Sequence, residues 1–301
     1  MIRARPALEV LATGPLALIQ DLGRPGLASV GVSRSGAADR GSFRLGARLL
    51  AQDASAAAIE VTFGGLEVRV RGTVMLALTG APAPARVGSR AVAHLAPLVL
   101  RDGDVLRLGA PPAGLRSYVS VRGGLTVPAV LGSRSTDVLS GLGPAPLQAG
   151  DVLEVGPTPA GLPCVDVAPL RPLTSAPIVV RASPGPRADW LADLQQLTST
   201  SWTVSSRSDR VGIRLEGTAW RHHPDRLGQE LPSEGVVRGA IQVPPGGEPV
   251  LFLADHPVTG GYPVAAVVRE ADVDRLAQAV PGQAVRICLP GLLSATKEEG
   301  T

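Results

Sequence analysis

Arg101-Asp102-Gly103-Asp104-Val105-Leu106-Arg107-Leu108-Gly109 returns, with changes, as Gln148-Ala149-Gly150-Asp151-Val152-Leu153-Glu154-Val155-Gly156. A weaker third copy is Pro281-Gly282-Gln283-Ala284-Val285-Arg286-Ile287. Each reads as a tight turn entering a strand, whose alternation sets Val and Leu on one face and Arg or Glu on the other. The copies do not recur at a fixed period, which argues against a solenoid. They indicate related units, and the fold class they predict is mainly β: two β-barrel-like domains with a few short helices.

The surrounding chain agrees. Ala7 to Ile19 holds two β-type runs about Gly14-Pro15, and Ala58–Phe63, Leu66–Val70 and Thr73–Leu78 are short runs broken by Gly64-Gly65 and Gly72. With 36 Gly, 28 Pro and 45% hydrophobic residues, the composition is that of short strands and tight turns, not of a disordered chain. Helical spacing occurs over 38–52, 187–197 and 270–279. Six prolines between Pro157 and Pro177 suggest a stiff linker. The predicted division is therefore a domain over 1–160, a second over 177–290, and a mobile tail over 291–301.

Composition excludes several chemistries. Of 29 basic residues 28 are Arg, and the single lysine is Lys297, near the C-terminus. A P-loop, a Schiff-base lysine, an attached biotin and an amidase-type Ser–Ser–Lys triad all need a lysine that the body of the chain lacks. The net charge of +3 is dispersed, so nucleic acid is not an expected partner. No apolar stretch is long enough to span a membrane and none resembles a signal peptide, so a cytoplasmic location is expected. Cys164 and Cys288 read as buried thiols in a reducing compartment. The four histidines form no metal-ligand spacing, and no metal is expected.

Four segments are too polar and glycine-rich for core. Gln20-Asp21-Leu22-Gly23-Arg24-Pro25-Gly26, continuing to Ser35-Gly36-Ala37-Ala38-Asp39, offers backbone donors and an arginine fork for a carboxylate or phosphate. Asp39 reads equally as a helix cap, and Arg24 as one half of an ion pair. Leu131-Gly132-Ser133-Arg134-Ser135-Thr136-Asp137 is either a hydrogen-bonded turn or a second polar contact. In Ser205–Gly217, strand alternation would put Arg210 and Arg214 on one face, as an anion site or as a salt-bridged solvent face. The fourth runs from Glu234 through Gln242 to Asp255-His256-Pro257-Val258-Thr259-Gly260-Gly261-Tyr262-Pro263. Asp255 ends an apolar run beside a donor-rich loop, which suits proton transfer or amide binding, and also suits a turn cap.

These motifs resemble the biotin-dependent carboxyltransferase subdomain A/B family, whose members include the C-type component of 5-oxoprolinase, the KipI antagonist and proteins labelled allophanate hydrolase subunit 2. The resemblance rests on Gly14-Pro15, Gln20–Gly26, Gly31-Val32, Ser35-Gly36-Ala37, Asp39, Leu78–Ala81, Arg122–Gly124, Leu131–Ser135, Ser208–Arg210, Gly239–Pro244, Ala254-Asp255 and Thr259–Pro263. It implies a cyclophilin-like C-terminal domain. It further implies the C-type component of an ATP-dependent 5-oxoprolinase, working with a KipI-like B-type component and an A-type component on a small cyclic amide. A regulatory binding protein of the KipI-antagonist type, or the carboxyltransferase component of a urea or amide carboxylase using a separate biotin carrier, are the alternatives. ATP would bind at the level of the complex. On this reading Asp255, Thr259 and Tyr262 position the amide or water. Gln20, Arg24, Ser35, Asp39, Arg134, Ser135, Arg210, Arg214, Glu234, Gln242, His256, Gly260 and Gly261 are the expected substrate- or anion-binding residues. The missing lysine argues against literal amidase chemistry and self-biotinylation.

Overall fold

The computed structural model describes residues 5–169 and 173–290; the tail expected to be mobile lies outside them. The chain divides into two compact units. One takes the chain to Arg24 and from Ser35 to Thr174; the other takes Pro25–Arg34 and the chain from Ser175. The N-terminal domain expected over 1–160 is therefore interrupted, because Pro25–Arg34 groups with the second unit.

The first unit contains β1 (Ala7–Thr13), β2 (Leu16–Gln20), β3 (Ala58–Thr62), β4 (Leu66–Arg71), β5 (Val74–Gly80), β6 (Ala85–Val87), β7 (Arg90–Ala91), β8 (Pro97–Leu100), β9 (Val105–Leu108), β10 (Arg116–Val121) and β11 (Val152–Glu154). They form a six-stranded sheet, β11-β1-β4-β9-β6-β7, and a five-stranded sheet, β2-β3-β10-β5-β8. Leu8, Val68 and Leu106 from the first sheet pack with Ile19, Ile59, Leu76 and Val119 from the second in one core. This unit is thus two open sheets over a shared core. Its helix α1 (Arg40–Leu49) buries Phe43, Ala47 and Leu49. The helix lies close to β10 because Gly46 has no side chain: a Cβ there would fall 2.2 Å from Ser120 Oγ.

The sequence copies fold alike. Asp104 Oδ2 accepts from Arg101 N at 2.8 Å, and Asp151 Oδ2 accepts from Gln148 N at 2.8 Å. Each turn then docks on the neighbouring strand by the same pair of bonds: Gly103 N to Val70 O with Val70 N to Asp104 O, and Gly150 N to Val10 O with Val10 N to Asp151 O. In the third copy Gln283 Oε1 replaces the aspartate, accepting from Val280 N at 3.2 Å, while Gly282 N and Gln283 O bracket Val204. A side-chain acceptor closing its own turn is why this short pattern is readable without tertiary information.

The second unit contains β12 (Ile178–Pro184), β13 (Trp202–Val204), β14 (Gly212–Glu216), β15 (Glu234–Gly235), β16 (Ala240–Gln242), β17 (Val250–Phe252), β18 (Thr259–Gly260), β19 (Val264–Val268) and β20 (Ala284–Cys288). Seven close a barrel in the order β12-β19-β16-β17-β14-β13-β20, and β15 and β18 pair separately. Val180, Trp202, Leu215, Ile241, Leu251 and Val285 fill it. The helix predicted over 187–197 does not form as one piece. The segment makes a 3-10 turn at Ala188–Trp190, a bridge from Leu191 to His222, and then a four-residue helix, α2 (Gln196–Ser199). Pairing with the chain at His222 takes Leu191 out of helical geometry. The third helix, α3 (Glu270–Leu276), forms where its acidic first turn predicts. Cys164 is exposed and Cys288 half-buried, so neither is the buried thiol expected.

Replacing Asp151 by Ala removes the acceptor of the turn bond to Gln148 N. The expected cost is about 1 kcal/mol, read as a lower denaturation midpoint at unchanged m-value. An unchanged midpoint would show that the turn does not depend on its aspartate.

Candidate functional site

The motif residues fall into two groups, one in each unit. In the first unit Asp21 is the centre. Its Oδ1 accepts from Ser133 Oγ and Ser135 Oγ, each at 2.6 Å, and from Gly23 N at 2.8 Å; its Oδ2 accepts from Arg134 N at 2.6 Å. Ser135 and Arg134 are therefore held by Asp21. Arg134 Nε donates to Val127 O at 2.9 Å. Arg24 is buried and donates to two carbonyls, Ser135 O and Val130 O. Gln20 Nε2 and Ser35 Oγ both donate to Thr136 O. Asp39 caps α1, accepting from Ser42 N and Ser42 Oγ, and its own N–H donates to Tyr118 Oη. Tyr118 in turn donates to Glu60 at 2.8 Å. Burial, with Glu60 and Asp39 beside it, pushes the Tyr118 phenol well above its ordinary range, so it remains a neutral donor.

In the second unit Asp255, at the end of the β17 run, is fully buried. Arg210 grips both its oxygens, Nε to Oδ2 at 2.9 Å and Nη2 to Oδ1 at 3.1 Å, and Asp255 N donates to Arg210 O. A carboxylate held this way is an anchor for its own loop and is shielded from water. The expected shared face of Arg210 and Arg214 does not exist, because β14 begins at Gly212: Arg210 precedes it and turns inward, whereas Arg214 points to solvent. That outer face is salt-bridged, with Arg207 near Glu216 and Glu248.

The loop beyond Asp255 leads to a cavity, which its last residues Gly261 to Pro263 border. His256 lies against Phe252, with Nδ1 2.7 Å from Pro257 O. Thr259 and Gly260 pair with Gly235 and Glu234. Gln242 Nε2 donates to Tyr262 O at 2.9 Å, and a Cβ on Gly260 would fall 2.6 Å from that same nitrogen. Gly260 is thus required for the Gln242 amide to reach the loop. Gly261 meets no such limit, since a Cβ there would make only ordinary contacts. Glu234 accepts from Arg187 Nε at 3.0 and 3.1 Å and from Arg187 Nη2. The hydrogen-bonding guanidinium holds the Glu234 carboxyl below its usual range.

Gly261, Tyr262 and Pro263 border a cavity of about 1030 Å³. Trp190, Trp220, Arg221, His222 and the loop Pro224–Leu231 complete it. Arg226 lies over the Trp190 ring, 5.3 Å from its centroid, and bonds to Asp189. Trp220 Nε1 donates to Asp193 O, and His222 Nε2 lies 3.2 Å from Val243 O. Of the residues predicted from sequence, only Gly261 and Tyr262 line this cavity. Sequence reasoning misses the tryptophans, Arg221, His222 and Arg226. The available signal is compositional: in a chain with 3% aromatics, two of three tryptophans and one of two tyrosines converge here. Among the described residues no His, Cys, Asp or Glu cluster is placed to hold a metal, and no helix is long and apolar enough to cross a membrane.

This mainly-β chain of two units, one of them a closed barrel, is similar to proteins of a known family. The model of the carboxyltransferase domain, subdomain A and B, covers residues 30–288, and the chain belongs to that family. It is 36% identical over 293 residues to the C subunit of 5-oxoprolinase from Escherichia coli (strain K12), covering 96% of this chain and 93% of that protein. The 5-oxoprolinase C subunit of Haemophilus influenzae is 33% identical, with the same coverage. Among solved structures, the Kluyveromyces lactis urea amidolyase superposes with a TM-score of 0.89 at 30% identity, covering 96% of this chain but 19% of that one. The protein TTHA0988 gives a TM-score of 0.86 at 34% identity, covering 94% of this chain and 55% of that one. The chain therefore spans about half or less of these solved relatives.

Two outcomes follow from this geometry. Arg210→Met alone strands a buried carboxylate and is expected to cost roughly 3–5 kcal/mol, whereas Arg210→Met with Asp255→Leu recovers most of that. Equal losses in the single and double variants, measured by urea denaturation, would contradict the pairing. Because the folded-state pKa of Glu234 is depressed, its pair with Arg187 is complete above the ordinary glutamate range and is lost as pH falls through the folded value. Amide shifts of β15 and β18 should move only in that acidic window, and Glu234→Gln should abolish the movement.

Proposed function

We propose that this chain is the C-type component of an ATP-dependent 5-oxoprolinase, inactive alone and working with A-type and B-type partners. The observation that carries this reading is the reach of the match: the two 5-oxoprolinase C subunits are covered over 93% of their length. The urea amidolyase of Saccharomyces cerevisiae is covered over 16% of its length. The match thus runs through nearly all of each C subunit and through a small part of the amidolyase.

The chemistry is the hydrolysis of a lactam. Water adds to the ring carbonyl, the C–N bond breaks, and the nitrogen takes a proton to become the amine of glutamate. The amide is stable, so its carbonyl must be activated: phosphoryl transfer from ATP to the carbonyl oxygen releases ADP, the water addition and C–N cleavage then leave an acyl phosphate, and a second water hydrolyses it to the carboxylate and free phosphate. ATP belongs to the complex. This chain's share is to seat the cyclic amide. The cavity bordered by Gly261 and Tyr262 has Arg221 to oppose the substrate carboxylate, and the Tyr262 hydroxyl at its rim can donate to the lactam oxygen. Asp255 acts one step removed, with Arg210, by fixing the loop that carries Thr259 to Tyr262.

A second reading has specific support, since the Lachancea kluyveri urea amidolyase is 32% identical over 93% of this chain. On that reading the chain is a carboxyltransferase component served by a separate biotinylated carrier.

The test is reconstitution with the A-type and B-type partners, following glutamate release from 5-oxoproline and ATP. Turnover is expected, and Tyr262→Phe should lower kcat about a hundredfold with little change in KM. No turnover by the full set, together with carboxylation of urea when a biotinylated carrier is supplied, would replace the first reading with the second.

A further inference from the structure

Opening a lactam moves protons. The attacking water must lose one, and the ring nitrogen must gain one as the C–N bond breaks. The groups bordering the cavity that can ionise are Arg221, His222, Arg226, Glu230 and Tyr262. A guanidinium does not give up its proton, and Arg226 is already engaged with Asp189 and the Trp190 ring. The Tyr262 hydroxyl is assigned to the lactam oxygen, and Glu230 is exposed on the loop Pro224–Leu231. His222 differs from all of these, because it is half-buried and both its main chain and its ring are held in place.

Leu191 and His222 form an antiparallel bridge. Beside it, Ala192 N donates to Arg221 O at 3.0 Å and His223 N donates to Trp190 O at 2.7 Å, so the main chain at His222 cannot shift without breaking both bonds. The ring is fixed by Nε2, which lies 3.2 Å from Val243 O, within hydrogen-bond distance. A carbonyl oxygen has no proton to give, so the proton in that bond sits on Nε2. In the neutral imidazole Nδ1 is then the bare nitrogen, with a lone pair available. Among the described residues Nδ1 has no hydrogen-bond partner, and it is not one of the enclosed, unpartnered atoms. Val243, itself fully buried, also ties this ring to the Tyr262 wall: its N–H donates to Pro263 O at 3.1 Å, while Gln242 beside it donates to Tyr262 O at 2.9 Å. Consecutive residues at the end of β16 therefore hold both the imidazole and the loop that carries the phenol.

We propose that His222 is the catalytic acid–base group of this cavity, acting through Nδ1. The inference rests on the proposed function, which requires a proton carrier and leaves it unassigned. As water adds to the activated carbonyl carbon, its O–H bond breaks and the proton passes to the Nδ1 lone pair. The imidazolium so formed still donates through Nε2–H to Val243 O. As the C–N bond then breaks, its electron pair goes to nitrogen and Nδ1–H returns the proton there, leaving the amine and a neutral ring. One proton leaves water and one reaches nitrogen, so the step needs no further reagent. The Val243 carbonyl acts twice: it selects the tautomer before the reaction, and it sets a partial negative charge against the imidazolium during it.

The experiment has two readouts. The first is the long-range 1H–15N spectrum of the full wild-type chain, in which the ring signals of His222 are identified among those of four histidines by their loss in His222→Gln. The second is turnover of 5-oxoproline and ATP by the chain reconstituted with the A-type and B-type partners, for wild type, His222→Gln and His223→Gln. Glutamine at 222 keeps an Nε2 donor for Val243 O but has no basic nitrogen. The expected results are an Nε2–H tautomer at His222, and a kcat lowered about a hundredfold or more in His222→Gln with KM and melting temperature little changed. His223→Gln, at a position whose ring lies near Asp225 and outside the cavity lining, should leave kcat unchanged. An Nδ1–H tautomer, or wild-type kcat in His222→Gln, would overturn the role of His222 and leave the proposed function standing. A wild-type set that releases no glutamate would overturn both.

Discussion

One buried carboxylate, Asp21, organises the polar part of the first unit. The desolvation of a buried charge must be offset by several donors, and here they are two hydroxyls and two backbone N–H groups rather than a cation. Those donors come from the end of β2 and from the 133–135 segment, far apart in sequence. Satisfying one side chain therefore fixes the register between them. The adjoining contacts follow the same register: Arg24 to Ser135 O, Gln20 to Thr136 O, and Thr136 N to Ile19 O. The second unit reaches the same end by another route, pairing Asp255 with Arg210 in full burial. In both units a buried acid fastens a loop, and in the second it is the acid that the sequence offers as a catalytic candidate.

Much of the architecture is legible where local chemistry is decisive. The three turn-and-strand copies close on their own side-chain acceptor, so their form survives the change from Asp104 and Asp151 to Gln283. Helix α1 is readable because Asp39 caps it and its apolar positions share a face. What escapes is decided by partners distant in sequence. Leu191 leaves helical geometry because His222 pairs with it, and the assignment of Pro25–Arg34 to the second unit has no compositional mark.

The site is legible in its loop and not in its cavity. The run from Thr259 to Pro263 stands out because glycines beside a tyrosine are unusual in a core, and its last three residues, Gly261 to Pro263, border the cavity. The rest of the lining comes from residues that resemble ordinary core or surface: Trp190 reads as a helix-face apolar residue and Arg226 as a solvated charge. Arg210 and Arg214 illustrate the sharpest limit. Alternation assigns them one face only if the strand already runs at Arg210. Because β14 starts at Gly212, one is buried and the other solvated.

The arginine bias takes a different meaning in this light. Arg24, Arg122, Arg134 and Arg275 all donate to main-chain carbonyls, Arg122 alone serving Leu50, Pro159 and Gly161. A planar fork of five donors can satisfy several carbonyls at fixed angles, which a lysine ammonium does less well. A chain rich in glycine and proline leaves many carbonyls outside any ladder, and each must find a donor when buried. Guanidinium groups in the glycine-rich motifs are thus engaged by main-chain carbonyls, with Nη1 of Arg24 left buried without a hydrogen-bond partner. Once Arg24 and Arg134 are counted as carbonyl clamps, the loop they hold has its polar groups turned inward. Its outward face carries Leu131, Val138 and Leu139.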